Sequence, residues 1–520
     1  MTRHRNRSVV WSLGGALLLV TLLVPIWWGA HGQYPWDIDN IAPGSVLKAL
    51  AARFAPGWHA QYGPIPYYFT AAAYAPVLAV FKLTGELGTP SSSYPWGFRH
   101  PEVAMTLLVV TARLVTVLFA LALVGMLARH SSGDPDRPAE PAARRPWLAP
   151  LIALASPLFI YYARTSNPEL HYLFWLWLAC HFAESPHASR FKLASAAAAA
   201  AFAVATKDMA IAPAAGVLAY AAWRAKDVGR GPERLFSVVL VAVGFALGYA
   251  VAWNLPWNLS GWREHFEYVT GAGVDPRRYD ANLMGTLQLV WHYLRETDVA
   301  FGWPARVGIV AALVMRVSWR GLGARVLACA LYLPTAIAIG YARPRFLLPF
   351  LLLAWPLGMR GIDAGLERLA AAGPVRRVVI AALVALALIG GPRLSLVMLD
   401  DPRLRMERWI AREVPSNTTI EIGGSPRFQA RVPARYPLIH TWDDSLRAHP
   451  RGPRGEIVLI SSVDRYSFET DPVLGPVWWD SLAGSAGRGR YTLRARFGPG
   501  PLANGLNVLP VAPTVEAWGR

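Results

Sequence analysis

Charge is scarce in this chain. Only 16% of its 520 residues are charged and 54% are hydrophobic, whereas about a quarter of a soluble domain is charged. Cysteine is nearly absent. Cys180 and Cys329 are the only two, and both fall in apolar stretches, so neither a disulfide framework nor a cysteine-based zinc cluster is available. Acidic residues are outnumbered: 33 Asp and Glu face 51 Lys and Arg, for a formal charge of +18. In a soluble protein that balance would point to nucleic acid. Here the basic residues obey a different rule, and nucleic acid is not an expected partner. Internal repeats are lacking, and the only simple tract is an alanine run at 196–201.

What is present is a rhythm of apolar stretches, at 9–28, 103–127, 147–162, 170–182, 191–205, 209–223, 235–252, 299–315, 326–340, 346–357 and 375–389. A membrane span needs about 20 apolar residues, fewer where packing thins the bilayer. The pattern predicts about 11 transmembrane helices. Alternate connections carry Arg and Lys: Arg3, Arg5 and Arg7; Arg129, Arg144 and Arg145; Arg190 and Lys192; Arg224, Lys226, Arg230 and Arg234; Arg316, Arg320 and Arg325; Arg360, Arg368, Arg376 and Arg377. Short cytoplasmic loops collect such residues, so the N-terminus is expected in the cytoplasm and residues 393–520 outside. The first stretch is long for a signal-peptide core and ends in Pro25 and Trp27-Trp28, which suits an interfacial anchor. The expected fold class is an all-α polytopic membrane protein, residues 1–392, with a small extracytoplasmic α/β domain at 393–520.

Two outer loops are long, 29–102 and 253–298, and long loops in compact proteins are usually functional. In the first, Pro43-Gly44-Ser45 precedes Val46, Leu47, Leu50 and Phe54 on one helical face, an amphipathic surface helix. The apolar stretch 65–83 reads as an interfacial helix. Before them stands Tyr34-Pro35-Trp36-Asp37-Ile38-Asp39-Asn40. Carboxylates two apart share one face of an extended segment, and mutual repulsion with poor solvation suits one of them to general-base work. A helix cap or a solvated turn explains the same pair. Asp37 and Asp39 would also be the ligands of a divalent cation, although two carboxylates are too few to predict one.

The second outer turn ends in Asn167-Pro168-Glu169. Glu169 opens a helix, where a carboxylate also meets the helix dipole favourably. Lys207 in Ala205-Thr206-Lys207-Asp208, and Arg343 and Arg345 in the fifth outer turn, are cations on the side that disfavours them, and Arg113 lies within a span. Such cations have anionic partners as a rule, either Asp208, Glu169 or a lipid headgroup. In the large loop, Gly261–Phe266 and the stretch through Arg277-Arg278 read as an interfacial helix followed by a turn, or as a lid. Carboxylates and cations around one space make a base and a phosphate clamp.

The order of these motifs resembles the GT-C superfamily of membrane glycosyltransferases. The acidic pair is followed by Gly63-Pro64 with Pro66-Tyr67-Tyr68, then Ala112-Arg113-Leu114. Next come Tyr161–Glu169, Tyr172–Trp175, Ala205–Lys207 and Arg343–Pro349. The bacterial branch related to protein O-mannosyltransferases and the lipid A aminoarabinose transferase is the best match, over about residues 9–360. The resemblance implies a polyprenyl-phosphate-linked sugar as donor and chemistry on the outer face of a bacterial plasma membrane. In it, Asp37 or Asp39 is the base that activates an acceptor hydroxyl, with inversion at the anomeric carbon. Glu169 matches the second acidic position and Lys207 the lysine that binds the lipid phosphate. One departure stands out: where the aminoarabinose transferase has a first-loop lysine, this chain has Gly63. Arg343, Arg345 or the Arg277-Arg278 pair would then complete the clamp.

Residues 393–520 change character. A helical pattern at 403–413 is followed by short apolar runs at 419–422, 457–461 and 491–497 separated by Gly, Pro and Asp, which read as strands. His440, Asp443, Asp444 and His449 read as solvated loop residues rather than metal ligands. Acceptor docking or covering of the active-site mouth is the expected role of this domain, and protein, lipid and glycan acceptors all stay open. The alternative to an enzyme is a transporter or a lipid-linked-sugar flippase, but inverted repeats are not evident.

Overall fold

The computed structural model describes residues 2–31, 34–37, 40–131, 145–271, 276–441, 449, 451–472, 474–484, 490–506 and 511–520. Asp39, Asp443 and Asp444 lie outside them. The chain divides into two compact units. One comprises Met1–Trp27, His31–Gln33 and Asp39–Pro392; the other comprises Trp28–Ala30, Tyr34–Ile38 and Arg393–Arg520.

The first unit is helical. Pro101–Arg129, Pro232–Ala252, Pro344–Arg368 and Gly373–Glu413 are long and apolar enough to cross a membrane, the last running on beyond this unit, while Ser12–Leu23, Trp303–Val314 and Gly323–Ala338 are apolar but shorter. Glu169–Ala183 and Arg190–Val204 have 15 residues each. At 1.5 Å per residue each rises about 22 Å, short of a hydrocarbon core of about 30 Å.

Two expected spans are broken. The stretch 147–162 becomes Leu148–Ala155 and Pro157–Ala163, because Pro157 cannot continue a helix and Ser156 caps the second piece by accepting from the Phe159 amide. The stretch 299–315 becomes Thr297–Phe301 and Trp303–Val314, divided by Gly302 at φ 78°. The helices Trp303–Val314 and Leu351–Arg368 cross with their backbones in near contact. A side chain at Gly361 would run into the Gly308 carbonyl, and small residues at such crossings let apolar helices approach where no hydrophobic force drives them together.

The expected surface helix spans Pro43–Ala51. It ends where Arg53 and Phe54 both take positive φ. Ile65–Leu83 forms one helix, and Trp58, Tyr67, Tyr74, Phe81, Trp96 and Met105 pack in one cluster around it.

The second unit is built on a five-stranded sheet. Its strands are β1 (Ile420–Gly423), β2 (Leu438–Thr441), β3 (Ile457–Ser461), β4 (Thr492–Phe497) and β5 (Val515–Gly519), in the order β2-β1-β3-β5-β4. The first three are parallel, and β5 runs antiparallel to both β3 and β4. Helix Pro402–Glu413 places Met406 and Ile410 against Ile420, Leu459, Val515 and Ala517 on one face. Phe468, Trp478, Trp479 and Leu482 cover Val458 and Ile460 on the other.

Trp28, which the sequence places at the end of the first apolar stretch, and Trp36, which it places in the first outer loop, belong to this second unit. The Arg403 guanidinium sits 4.0 Å from the Trp36 ring centre and 5.1 Å from that of Trp28, with Arg431 at 4.9 Å from Trp36. Trp28 Nε1 donates to Asp401 Oδ2 at 3.1 Å. Burial of two indoles and cation–π attraction tie these few loop residues to a sheet domain far along the chain.

Candidate active site

Within the first unit, four segments distant in sequence meet. Glu169 is the first residue of helix Glu169–Ala183, with Pro168 before it. A proline there fixes φ without removing a needed donor, and the carboxylate faces the positive end of the helix dipole. Lys207 sits in extended conformation just before the short helix Asp208–Ala210. Its Nζ donates to Glu169 Oε1 at 2.5 Å, and Arg345 Nη1 stands 3.9 Å from the same oxygen. Glu169 is fully buried and Lys207 nearly so. Glu169 Oε2 is buried with no hydrogen-bond partner among the described residues.

Aromatic rings close the space around the ammonium. Lys207 Nζ lies 5.5 Å from the ring centre of Tyr62 and 5.8 Å from that of Tyr172. Two cations thus converge on one oxygen of Glu169, at a place where low dielectric strengthens every charge interaction.

Gly63 explains why the first loop offers no cation here. A side chain at Gly63 would collide with the Ala205 carbonyl, the residue that begins the Lys207 turn. The first loop and the turn are packed backbone to backbone, with the Ile65 amide 3.4 Å from the Ala205 oxygen.

A second polar group adjoins the first. Asp208, the neighbour of Lys207, pairs with His265 of helix Leu255–Thr270. His265 Nε2 lies 3.2 and 3.1 Å from the Asp208 carboxylate oxygens, and Nδ1 lies 2.9 Å from the Ala60 carbonyl. Both ring nitrogens face acceptors, so the imidazolium is the form that satisfies both. Burial pulls the His265 pKa down, but the hydrogen bond and charge of Asp208, with the Ala60 carbonyl, outweigh it and hold the pKa above its ordinary 6.5. Asn258 Nδ2 adds a hydrogen bond to the Trp58 carbonyl at 2.8 Å. The large-loop helix is thus fastened to the first loop and to the 205–208 turn.

The other residues singled out from the sequence are placed as follows. Asp37 is fully buried and belongs to the second unit, and its partner Asp39 lies outside the described residues. Arg113 is buried and donates through Nη1 to the Ile26 carbonyl at 2.6 Å. Arg343 lies 5.6 Å from the Tyr341 ring centre. Arg277 donates to the Ala338 carbonyl at 2.7 Å, and the Arg278 amide bonds to the Gly340 carbonyl at 2.9 Å. That pair closes the end of helix Gly323–Ala338. Groups of three or more metal-ligating side chains are not found among the described residues.

The sequence reading gave Tyr172 and His265 no role of their own in the site, although Tyr172 opens the Tyr172–Trp175 motif, Asp208 was a candidate partner of Lys207 and His265 lies in the Gly261–Phe266 stretch of the large loop. It also missed Asn40, the neighbour of Asp39, whose amide oxygen and nitrogen are both buried without hydrogen-bond partners among the described residues.

No family model matches the chain, and no curated protein matches it. Among solved structures, the chain is similar to ArnT from Cupriavidus metallidurans bound to undecaprenyl phosphate, with 15% identity, 97% of each chain covered and a TM-score of 0.49. The same protein in the apo state gives 14% identity over 97% of this chain and 98% of that one, also at 0.49. An oligosaccharyltransferase from Archaeoglobus fulgidus, tethered by a disulfide to an acceptor peptide with an NVT sequon, gives 13% identity over 80% of this chain and 62% of that one, at 0.42.

Proposed function

We propose that the chain is a membrane glycosyltransferase that moves a sugar from a polyprenyl-phosphate donor to an acceptor hydroxyl at the outer face of a bacterial plasma membrane. The observation that carries this reading is the convergence of Lys207 and Arg345 on the fully buried Glu169, whose second oxygen has no hydrogen-bond partner among the described residues. In a bilayer-embedded helical unit, such a group has few uses other than holding an anion at the membrane interface.

The reaction runs as follows. A first-loop carboxylate, Asp37 or Asp39, takes the proton of the acceptor hydroxyl. The hydroxyl oxygen bonds to the anomeric carbon from the face opposite the phosphate, the carbon–oxygen bond to phosphate breaks, and configuration inverts. The electron pair of that bond passes to a phosphate oxygen, and Lys207 and Arg345 stabilise the new charge. Arg binds phosphate with paired donors, while Lys acts as a point charge. Removing one such fixed donor costs about 3 kcal/mol of barrier, and a general base supplies about 100- to 10,000-fold. Glu169 keeps the two cations in place before the donor arrives.

The test uses the purified full chain in lipid nanodiscs with radiolabelled polyprenyl-phosphate sugars. Acceptor-dependent release of polyprenyl phosphate is expected, together with its loss in Asp37→Asn or Asp39→Asn. Unchanged transfer in both variants removes the base assignment. Cells lacking the chain are expected to accumulate one polyprenyl-phosphate sugar, and an unaltered lipid pool would overturn the reading.

A further inference from the structure

The sheet domain has a cavity of its own, of about 460 Å³, inside the range of about 300–1,000 Å³ typical of small-molecule sites. Strand register builds its floor. Glu516 and Trp518 are two apart on β5 and share one face of the sheet. Their partners on the edge strand β4 are Arg496 and Leu493. Helix Ser462–Thr470 brings Arg465 to the cavity, and the turn at Gly475–Trp479 brings Trp479 and then Asp480.

Glu516 is the fixed centre, at 3% exposure. Its Oε1 accepts from Arg465 Nη1 at 3.1 Å and lies 3.4 Å from Arg496 Nε, while Oε2 accepts from Trp518 Nε1 at 3.2 Å. Arg465 also lies 4.9 Å from the Trp479 ring centre and pairs with Glu469 at 3.3 Å. The two indoles meet edge to face, 6.3 Å apart at 74°. Groups locked together in this way lose little freedom when a ligand arrives.

The lining selects a ligand class. Among the described lining residues, the carboxylates of Glu469, Asp480 and Glu516 against the guanidiniums of Arg465 and Arg496 leave a formal charge of −1 (−3 + 2), which disfavours a phosphate or a nucleotide. So many charged groups also make the site unfit for a lipid chain. A neutral saccharide meets every element. Its hydroxyls donate to carboxylates and accept from guanidinium N–H groups, and the half-buried Trp518 offers indole surface to the C–H face of its ring. We propose that this cavity is a binding site for a neutral saccharide. Its use in holding the glycan part of an acceptor rests on the glycosyltransferase reading; saccharide binding itself does not.

The test is to probe an array of neutral and phosphorylated glycans with the fluorescently labelled full chain in detergent, and to titrate the best neutral ligand by calorimetry. One site per chain is expected, with phosphorylated glycans bound more weakly. Arg496→Ala and Glu516→Gln should each weaken binding about tenfold or more. Arg496 is well exposed, so its replacement leaves the fold intact even if Glu516→Gln does not. An array without neutral ligands would overturn the proposal, as would affinity that survives both cavity variants. Binding is measured without donor, so a failure here is separate from a failure of sugar transfer.

Discussion

Each unit buries carboxylates against cations, and two of them, Asp401 in the sheet domain and Glu169 in the helical unit, are satisfied differently. In the sheet domain, Asp401 Oδ1 accepts from the Arg403 amide and Nε, both at 2.9 Å. Its Oδ2 accepts from Arg403 Nη2 at 2.7 Å, Trp28 Nε1 at 3.1 Å and the Ala512 amide at 3.2 Å. Glu421 in β1 is likewise satisfied at both oxygens, by Thr441 Oγ1 and by the amides of Arg454 and Gly455. In the helical unit, Glu169 Oε1 has Lys207 and Arg345, while Oε2 has no partner among the described residues. An unsatisfied buried oxygen costs about 1–3 kcal/mol. Satisfied carboxylates are joints, whereas one held half-satisfied between two cations is a place made ready for something else.

The contrast can be broken by experiment. Asp401→Ala should have the largest effect, because it strands the buried Arg403 guanidinium. A loss of about 3–5 kcal/mol is expected, read as faster hydrogen exchange in Val515–Gly519 of the full chain; a change under about 1 kcal/mol would show that the joint is idle. Lys207→Met should lower sugar transfer about 100- to 1,000-fold with a smaller stability loss. If it destabilises the helical unit as much as Asp401→Ala does the sheet domain, and transfer per folded molecule is unchanged, the Lys207 group is structural too. Gly63→Ala must displace the Ala205 carbonyl, so about 1–3 kcal/mol of stability and part of the transfer activity should go together; full activity would separate Gly63 from the site.

The smallest effect is a pH dependence. His265 has its pKa raised in the folded chain, so its pairing contributes fully below the unfolded value of about 6.5 and is lost as pH rises through the raised folded value. Protection of Leu255–Thr270 against hydrogen exchange, taken relative to the base-catalysed intrinsic rate, should therefore fall above neutral pH and not below it. Asp208→Asn should abolish that dependence, and a dependence of the opposite sign would refute the imidazolium assignment.

Local signals in the sequence reach the elements that local chemistry controls. Glu169 at a helix start, Lys207 in a tight turn and the Pro43 helix were legible because capping, charge placement and amphipathic spacing act within a few residues. So were β1, β3 and β4, as short apolar runs between breakers; β2 and β5 were not, since Leu438–Thr441 and Val515–Gly519 are short and mix polar with apolar residues. The break at Ser156-Pro157 was written in the sequence and was overlooked under continuous hydropathy. The grouping of Trp36 with Arg403 and Arg431, and the meeting of His265 with Asp208, join residues tens to hundreds of positions apart and leave no local trace. Gly63 is a middle case: its lack of a side chain was visible, but the reason lies in the Ala205 backbone against it.

Because position 63 has no room in this chain, a lysine introduced there must first push the 205–208 turn away, and with it the ammonium that turn presents. Adding a second ammonium to this corner would displace the first.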